Sequence, residues 1–290
     1  MSPAHLSDEN APDFDPFAGS AISLTVASTD AQREVWTATR MGDDASLAFN
    51  EAVAIGLRGH LDVPALGAAL DALVNRHESL RATFSPDGLT MLIGEPVGQA
   101  LTLHDWSALG PDDRAGEHRA LLRRVVAEPF DLVSGPLLRA DLARLADEEH
   151  VLVLTAHHIV CDGWSFGVIA QELATLYSAE RTRVPPALPA AEAFSEYART
   201  LVAEAAGDGL AECERYWIGQ FAGEIPTLDL PTDRPRPALK TYTAVREDRV
   251  LSSALMRRIS QAGSRERAST FATLLSAFAE IGRASCRERV

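Results

Sequence analysis

The chain has 290 residues, enough to bury a substantial core in one or two domains, and 46% of them are hydrophobic, as in ordinary soluble globular proteins. Its formal net charge of −14 argues against general nucleic-acid binding, and no apolar run reaches the roughly 20 residues that cross a bilayer. Three unevenly spaced cysteines make neither a disulfide framework nor a Cys-x-x-Cys site, so a reducing, cytoplasmic setting is expected. Residues 1–20 are acidic, contain proline and lack the apolar core of a signal peptide; they read as a linker.

In chain order, Thr29 and Gln32 have capping-box spacing, which predicts a helix from Asp30 to about Arg40. Val53, Ile55 and Leu57 alternate as on a strand ending near Gly59. Asp62 can cap a helix with Leu66, Ala69, Leu70, Leu73 and Val74 on one face. A strand through Leu80 to Phe84, a turn at Ser85-Pro86-Asp87-Gly88 and a strand through Leu89 to Ile93 follow. Arg114 to Ala127 reads as a helix whose Arg114, Arg119, Arg123 and Arg124 form a basic patch. Leu137 to Leu145 and Val151 to Ala156 read as antiparallel neighbours across a polar turn. Val184 to Pro189 is the clearest linker. Helices over Ala191 to Ala205 and Leu210 to Phe221, a strand over Thr241 to Leu251, and helices over Ser253 to Ala262 and Thr270 to Ala279 complete a mixed α+β order.

The most informative stretch is His157-His158-Ile159-Val160-Cys161-Asp162-Gly163, between an apolar strand and a helical pattern. Successive side chains on a strand point to opposite faces, so one histidine faces a site and the other packs behind it. The same divergence argues against a metal site built from His157, His158, Cys161 and Asp162. Asp162-Gly163 marks the turn, and Ser165 is a candidate N-cap for a helix carrying Phe166, Ile169, Leu173, Leu176 and Tyr177. Cys161 reads as buried packing, since nothing beside it would make a reactive thiolate. A strand end with a helix N-terminus just beyond is where α/β proteins place chemistry.

His157-His158-x-x-x-Asp162-Gly163 resembles the core motif of condensation domains of nonribosomal peptide synthetases, in the chloramphenicol acetyltransferase-like superfamily. Thr29 to Trp36 is similar to the family's first motif and Asn75-Arg76-His77-Glu78-Ser79-Leu80-Arg81-Ala82-Thr83-Phe84 to its second. Pro129-Phe130-Asp131-Leu132 followed by Gly135-Pro136-Leu137-Leu138-Arg139 fits the pattern as well. Phe194-Ser195-Glu196-Tyr197-Ala198 resembles the fourth motif, with Glu and Phe where Asp and Tyr are usual. Leu230 to Pro237 is similar to the crossover segment.

The resemblance implies an α+β, two-lobe sandwich fold: an N-terminal lobe over residues 21–183 and, over 184–279, a linker and the incomplete start of a second lobe. It implies His158 as the catalytic residue, acting as base or as positioner of the amine, with His157 structural. It implies that Asp162 pairs with Arg81 and that Gly163 admits a phosphopantetheine arm. Trp164 and Ser165 would line the substrate channel, although an aromatic after a turn is more often core. It implies that no cofactor or metal is bound directly and that substrates ride on the phosphopantetheine of upstream and downstream carrier proteins, next to an adenylation domain. Carrier proteins are usually acidic, so the basic helix is a possible docking face, with a solvated face as the simpler reading.

The expected reaction is amide-bond formation between carrier-bound substrates. The alternatives are a stand-alone acyltransferase of the same superfamily and a non-catalytic recruitment module. Intact histidines argue against heterocyclisation, and Arg33 with Trp36 favours condensation over epimerisation. Phe49-Asn50-Glu51 is weakly similar to condensation domains downstream of polyketide modules. The family's later motifs are absent, so poor turnover by this chain alone is expected. Residues 280–290 lose the apolar pattern of Phe271, Leu274, Leu275 and Phe278. They resemble the translation of a sequencing adapter, which removes Cys286 from any redox or metal argument.

Overall fold

The computed structural model describes residues 21–96, 98–205, 208–225, 234–235, 237–238, 240–242, 244 and 249–287. The expected linker over residues 1–20, most of the crossover segment, and residues 243 and 245–248 of the strand expected over Thr241 to Leu251 lie outside these residues; the described residues of that expected strand, Thr241, Tyr242, Ala244 and 249–251, are not paired as a strand. The chain divides into two compact units at Tyr216/Trp217.

The first unit runs through β1 (Ile22–Ala27), α1 (Asp30–Thr39), α2 (Asp43–Leu47), β2 (Asn50–Arg58) and α3 (Val63–Arg76). A 3-10 turn over Glu78–Arg81 leads into β3 (Ala82–Phe84), β4 (Thr90–Gly94), β5 (Leu101–Asp105) and α4 (Pro111–Ala127). Then come β6 (Leu138–Ala146), β7 (Glu149–His157), α5 (Gly163–Thr182), α6 (Phe194–Ala205) and α7 (Asp208–Gln220), which spans the division. The strand expected from Leu80 thus begins only at Ala82. Leu80 is drawn into the core by the 3-10 turn that follows α3.

The strands form a four-stranded sheet in the order β2-β7-β6-β5 and a three-stranded sheet in the order β1-β4-β3. β6 and β7 pair antiparallel as expected, and β2 adds to the far edge of β7. Alternation sorts β7 into two faces. Leu152, Leu154 and Ala156 join Leu66, Leu70 and Leu73 of α3 and Ile169, Leu173 and Leu176 of α5 in the main core. Val153 packs with Leu121 and Val125 of α4 on the other side. Leu70, Leu73, Leu137, Leu138, Leu152 and Leu154 are all under 2% exposed, each worth about 1.5–3 kcal/mol of burial.

The second motif fastens the helices beside the site to this core. Arg76 Nε and His77 Nε2 both reach Glu172 Oε2 of α5, at 2.9 and 2.7 Å. Arg76 also donates to the Pro189 carbonyl in the linker. Glu78 accepts from the Ser195 N–H at the start of α6, at 2.8 Å. The unit therefore continues past the Val184 to Pro189 linker, with α6 against β1 and the 3-10 turn.

In the second unit, α8 (Ser253–Arg265) and α9 (Thr270–Arg287) form a hairpin. Their approach needs a glycine: a Cβ on Gly263 would lie 2.1 Å from Thr273 Oγ1. Among the described residues no helix is long and apolar enough to cross a membrane.

Candidate active site

The two histidines leave the end of β7 on opposite faces. His157 lies opposite Asn50 in the ladder, and the His158 N–H donates to the Phe49 carbonyl at 2.8 Å, so the pairing extends one residue past the strand. Residues opposite one another share a face. His158 therefore shares its face with Phe49 and with Glu51, two residues further along β2.

His157 is fully buried, with Phe49 and Phe130 rings each 6.0 Å away. Its Nδ1 accepts the Ile159 N–H at 3.2 Å, which places the proton of the neutral ring on Nε2. Burial, and then the neighbouring His158, push its pKa down to about 4, so it is uncharged at neutral pH. His158 is 38% exposed and stacks on Phe49 at 6.4 Å. Its Nδ1 is sealed from solvent and lies 3.0 Å from Glu51 Oε1, at ion-pair distance but without hydrogen-bond alignment.

Gln32 fixes the turn from the other side. Its Oε1 accepts the Thr29 N–H and its Nε2 donates to the Ile159 carbonyl at 3.4 Å, closing the α1 capping box onto the loop after His158. Sequence reasoning found the capping box but not this second bond, which joins residues 127 positions apart. Glu51 was likewise legible only as part of a weak motif, because its closeness to His158 depends on the β2-β7 register.

Asp162, not Ser165, is the N-cap of α5. Its Oδ1 accepts the Ser165 N–H at 2.8 Å and the Ser165 hydroxyl at 2.6 Å, and its own N–H reaches Ser165 Oγ at 3.2 Å. The Ser165 hydroxyl and then its N–H hold the Asp162 carboxyl below its ordinary range. The expected pairing with Arg81 is not formed. Arg81 donates to the Gly94 carbonyl and lies 3.5 Å from Ser23 Oγ, while Asp162 is exposed and satisfied within its own turn. Losing a cap costs about 1 kcal/mol, whereas orphaning one partner of a buried ion pair costs roughly 3–5 kcal/mol. Asp162→Ala should therefore lower stability by only about 1 kcal/mol, and Asp162→Asn by less, read from urea unfolding. A loss of several kcal/mol in Asp162→Ala would restore the ion-pair role.

Gly163 has no left-handed backbone, and a Cβ there would meet nothing within 4 Å, so the turn itself does not demand glycine. Trp164 is neither core nor cleft wall: it is 84% exposed and lies outside the cleft lining. Cys161 is buried, and burial pushes its thiol up to about 12. On α4, Arg114 folds back to the Leu109 carbonyl and Arg124 stands 3.7 Å from Asp141, while Arg119 and Arg123 face outward.

A cleft of about 1020 Å³ opens in front of His158. The start of α1, the turn from His158 to Asp162 with Ser165, a largely apolar side of α6 and Gly209, Leu210 and Cys213 of α7 form its walls. Within the cleft, a partly exposed imidazole faces an apolar wall under a capped helix N-terminus, an arrangement that can hold a reactant and exchange a proton with it.

The family model of the condensation domain matches residues 23–281, and the chain belongs to that family. Chondramide synthase cmdD of Chondromyces crocatus is 37% identical over 86% of this chain and 6% of its own length. Phosphinothricin tripeptide synthetase PhsC of Streptomyces viridochromogenes is 34% identical over 87% of this chain and 23% of its own. Among solved structures, the starter condensation domain of rhizomide synthetase RzmA superposes with a TM-score of 0.63 at 28% identity, covering 69% of this chain and 48% of that one. SgcC5 of Streptomyces globisporus superposes with a TM-score of 0.66 at 26% identity, covering 85% and 58%. The fold is the chloramphenicol acetyltransferase-like α+β fold of these domains. The chain spans a small part of the curated synthetases and about half of the solved chains.

Proposed function

We propose that the chain is the His-bearing part of a domain that forms an amide bond between an acyl thioester on an upstream carrier protein and an aminoacyl group on a downstream one. The observation that supports this most is the division of labour between the histidines: His157 is buried and neutral, while His158 is accessible at the cleft. A thioester is already activated, so most of the rate comes from holding amine and carbonyl in line. As the N–C bond forms the C–S bond breaks. The proton shed by the amine passes to His158 and leaves on the pantetheine thiol.

The open space above Gly163 suits close approach of the pantetheine arm, with Ser165 on the cleft wall beside it. Asp162 and Arg81 act as structural residues on this reading, and Trp164 belongs to a surface rather than to the channel lining. The carrier proteins and an adjacent adenylation domain are the partners, in a cytoplasmic assembly line making a secondary metabolite. Coverage of about half of the solved relatives supports poor turnover by this chain alone, with residues 184–279 contributing the linker and the start of a second lobe.

The test supplies the domain within its synthetase and follows the acceptor carrier by intact mass. Gain of the acyl mass on the aminoacyl carrier supports the reading. Transfer only to a small alcohol would favour the stand-alone acyltransferase, a reading supported by SgcC5, which was solved with (R)-(-)-1-(2-naphthyl)-1,2-ethanediol. Carrier binding with transfer to neither would favour recruitment.

We also infer that residues 280–290 are foreign to the domain. The family match ends at residue 281, two residues into this stretch, and leaves residues 282–290 outside it. Resequencing the locus should replace these residues with a frame continuing the apolar pattern of α9. Clean genomic DNA encoding them unchanged would overturn the inference.

A further inference from the structure

We propose that Glu51 is a positioning residue that fixes the tautomer of His158, with the proton on Nδ1 and the lone pair of Nε2 turned to the cleft. The inference deepens the proposed role of His158 and rests on it for its catalytic meaning, though not for its geometry.

Four observations carry it. The β2-β7 register sets Glu51 opposite Ala156, and the Phe49 carbonyl holds the His158 N–H, so both side chains stand on one face. Glu51 Oε1 lies 3.0 Å from His158 Nδ1. That nitrogen is sealed from solvent and has no other partner among the described residues, whereas Nε2 is not sealed. The backbone on either side of the ring is pinned by Phe49, by the Ile159 N–H on His157 and by Gln32 on the Ile159 carbonyl.

An ionised carboxylate only accepts hydrogen bonds, so a neutral imidazole beside it places its proton on the facing nitrogen. The other nitrogen is then bare. A bare Nε2 can take a proton, or a hydrogen bond, from an attacking amine; a protonated one cannot. His157 carries the opposite tautomer, because a backbone N–H rather than a carboxylate meets its Nδ1. Two adjacent histidines thus differ in kind through what faces one atom of each. Glu51 touches no reactant in this scheme and acts only through His158.

The experiment is long-range ¹H–¹⁵N correlation of the imidazoles in the 290-residue chain at a pH where His158 is neutral, its signals assigned by their loss in His158→Ala. The wild-type chain should show a protonated Nδ1 and a bare Nε2 on His158. In Glu51→Gln, whose amide can donate as well as accept, that preference should be lost and the protonated-Nε2 form should appear. The His157 signals serve as the control and should keep a bare Nδ1 in both proteins. A wild-type His158 protonated on Nε2, or a tautomer unchanged in Glu51→Gln, would overturn the proposal. The wild-type spectrum decides even if the variant fails to fold. The readout needs no turnover, so absence of amide formation would count against the function and leave this inference standing.

Discussion

Replacing His158 with alanine within the synthetase should lower amide formation by roughly 10²- to 10⁴-fold, the range supplied by a positioned acid-base group. Stability should barely move, because the side chain is 38% exposed and joined to its surroundings by one misaligned contact with Glu51 and stacking on Phe49. The measurement pairs acyl transfer to the acceptor carrier with urea unfolding of the same variant. An unchanged rate would remove His158 from the chemistry. A lost rate with an equal loss of stability would make it a packing residue. His157→Ala should give the reverse pattern, since its ring is fully buried between aromatic neighbours.

Acid should weaken the fold through His157 before the carboxylates take part. Its pKa is about 4 in the folded chain against 6.5 when solvated, so the unfolded state binds more protons between these values. Stability is then complete above pH 6.5 and is lost as pH falls towards 4. A depression of this size corresponds to on the order of 3 kcal/mol, a large share of a typical domain's 5–15 kcal/mol. His150, held down by burial and by Arg144, adds to the loss in the same direction. Asp62, Asp162 and Glu172 are held below their ordinary range and give up their share only at lower pH. The share of His157 is read as the difference between urea midpoints of the wild-type chain and His157→Gln from pH 7 to pH 5. The glutamine variant should start lower and fall less steeply; parallel curves would mean that His157 does not titrate in this window.

Elements with strong periodicity were legible in the sequence. β7, β6 and α3 carry runs whose alternation or helical spacing matches the faces they bury. β5 was not, because it is an edge strand whose Leu103 is 61% exposed, so burial imposes no clear pattern on it. β1 was overlooked although Ile22, Leu24 and Val26 alternate with Ser23, Thr25 and Ala27 as a strand requires, and the five-residue α2 is too short to leave a periodic trace. His158 could be read from its motif, and its divergence from His157 follows from strand geometry. The partner of Asp162 could not. Resemblance pointed across the fold to Arg81, yet a serine three residues away satisfies the same carboxylate locally. Glu51 and Gln32 were hidden for the opposite reason: each acts on a residue more than 100 positions away, which no local pattern records.

The clamp made by Arg76, His77 and Glu78 has a consequence for how the chain is born. Its bonds span 96 residues to Glu172, 113 to Pro189 and 117 to Ser195. A ribosome exposes the second motif long before any of these partners emerges. The β2-β7 pairing waits as well, since Asn50 meets His157. By contrast β3 and β4, joined through one tight turn, can zip as soon as they appear. Synthesis thus leaves an interval in which α3 shows its leucine face without the α5 helix that covers it. At elongation rates of about 5–20 residues per second that interval lasts several seconds, long enough for a chaperone to engage the nascent chain.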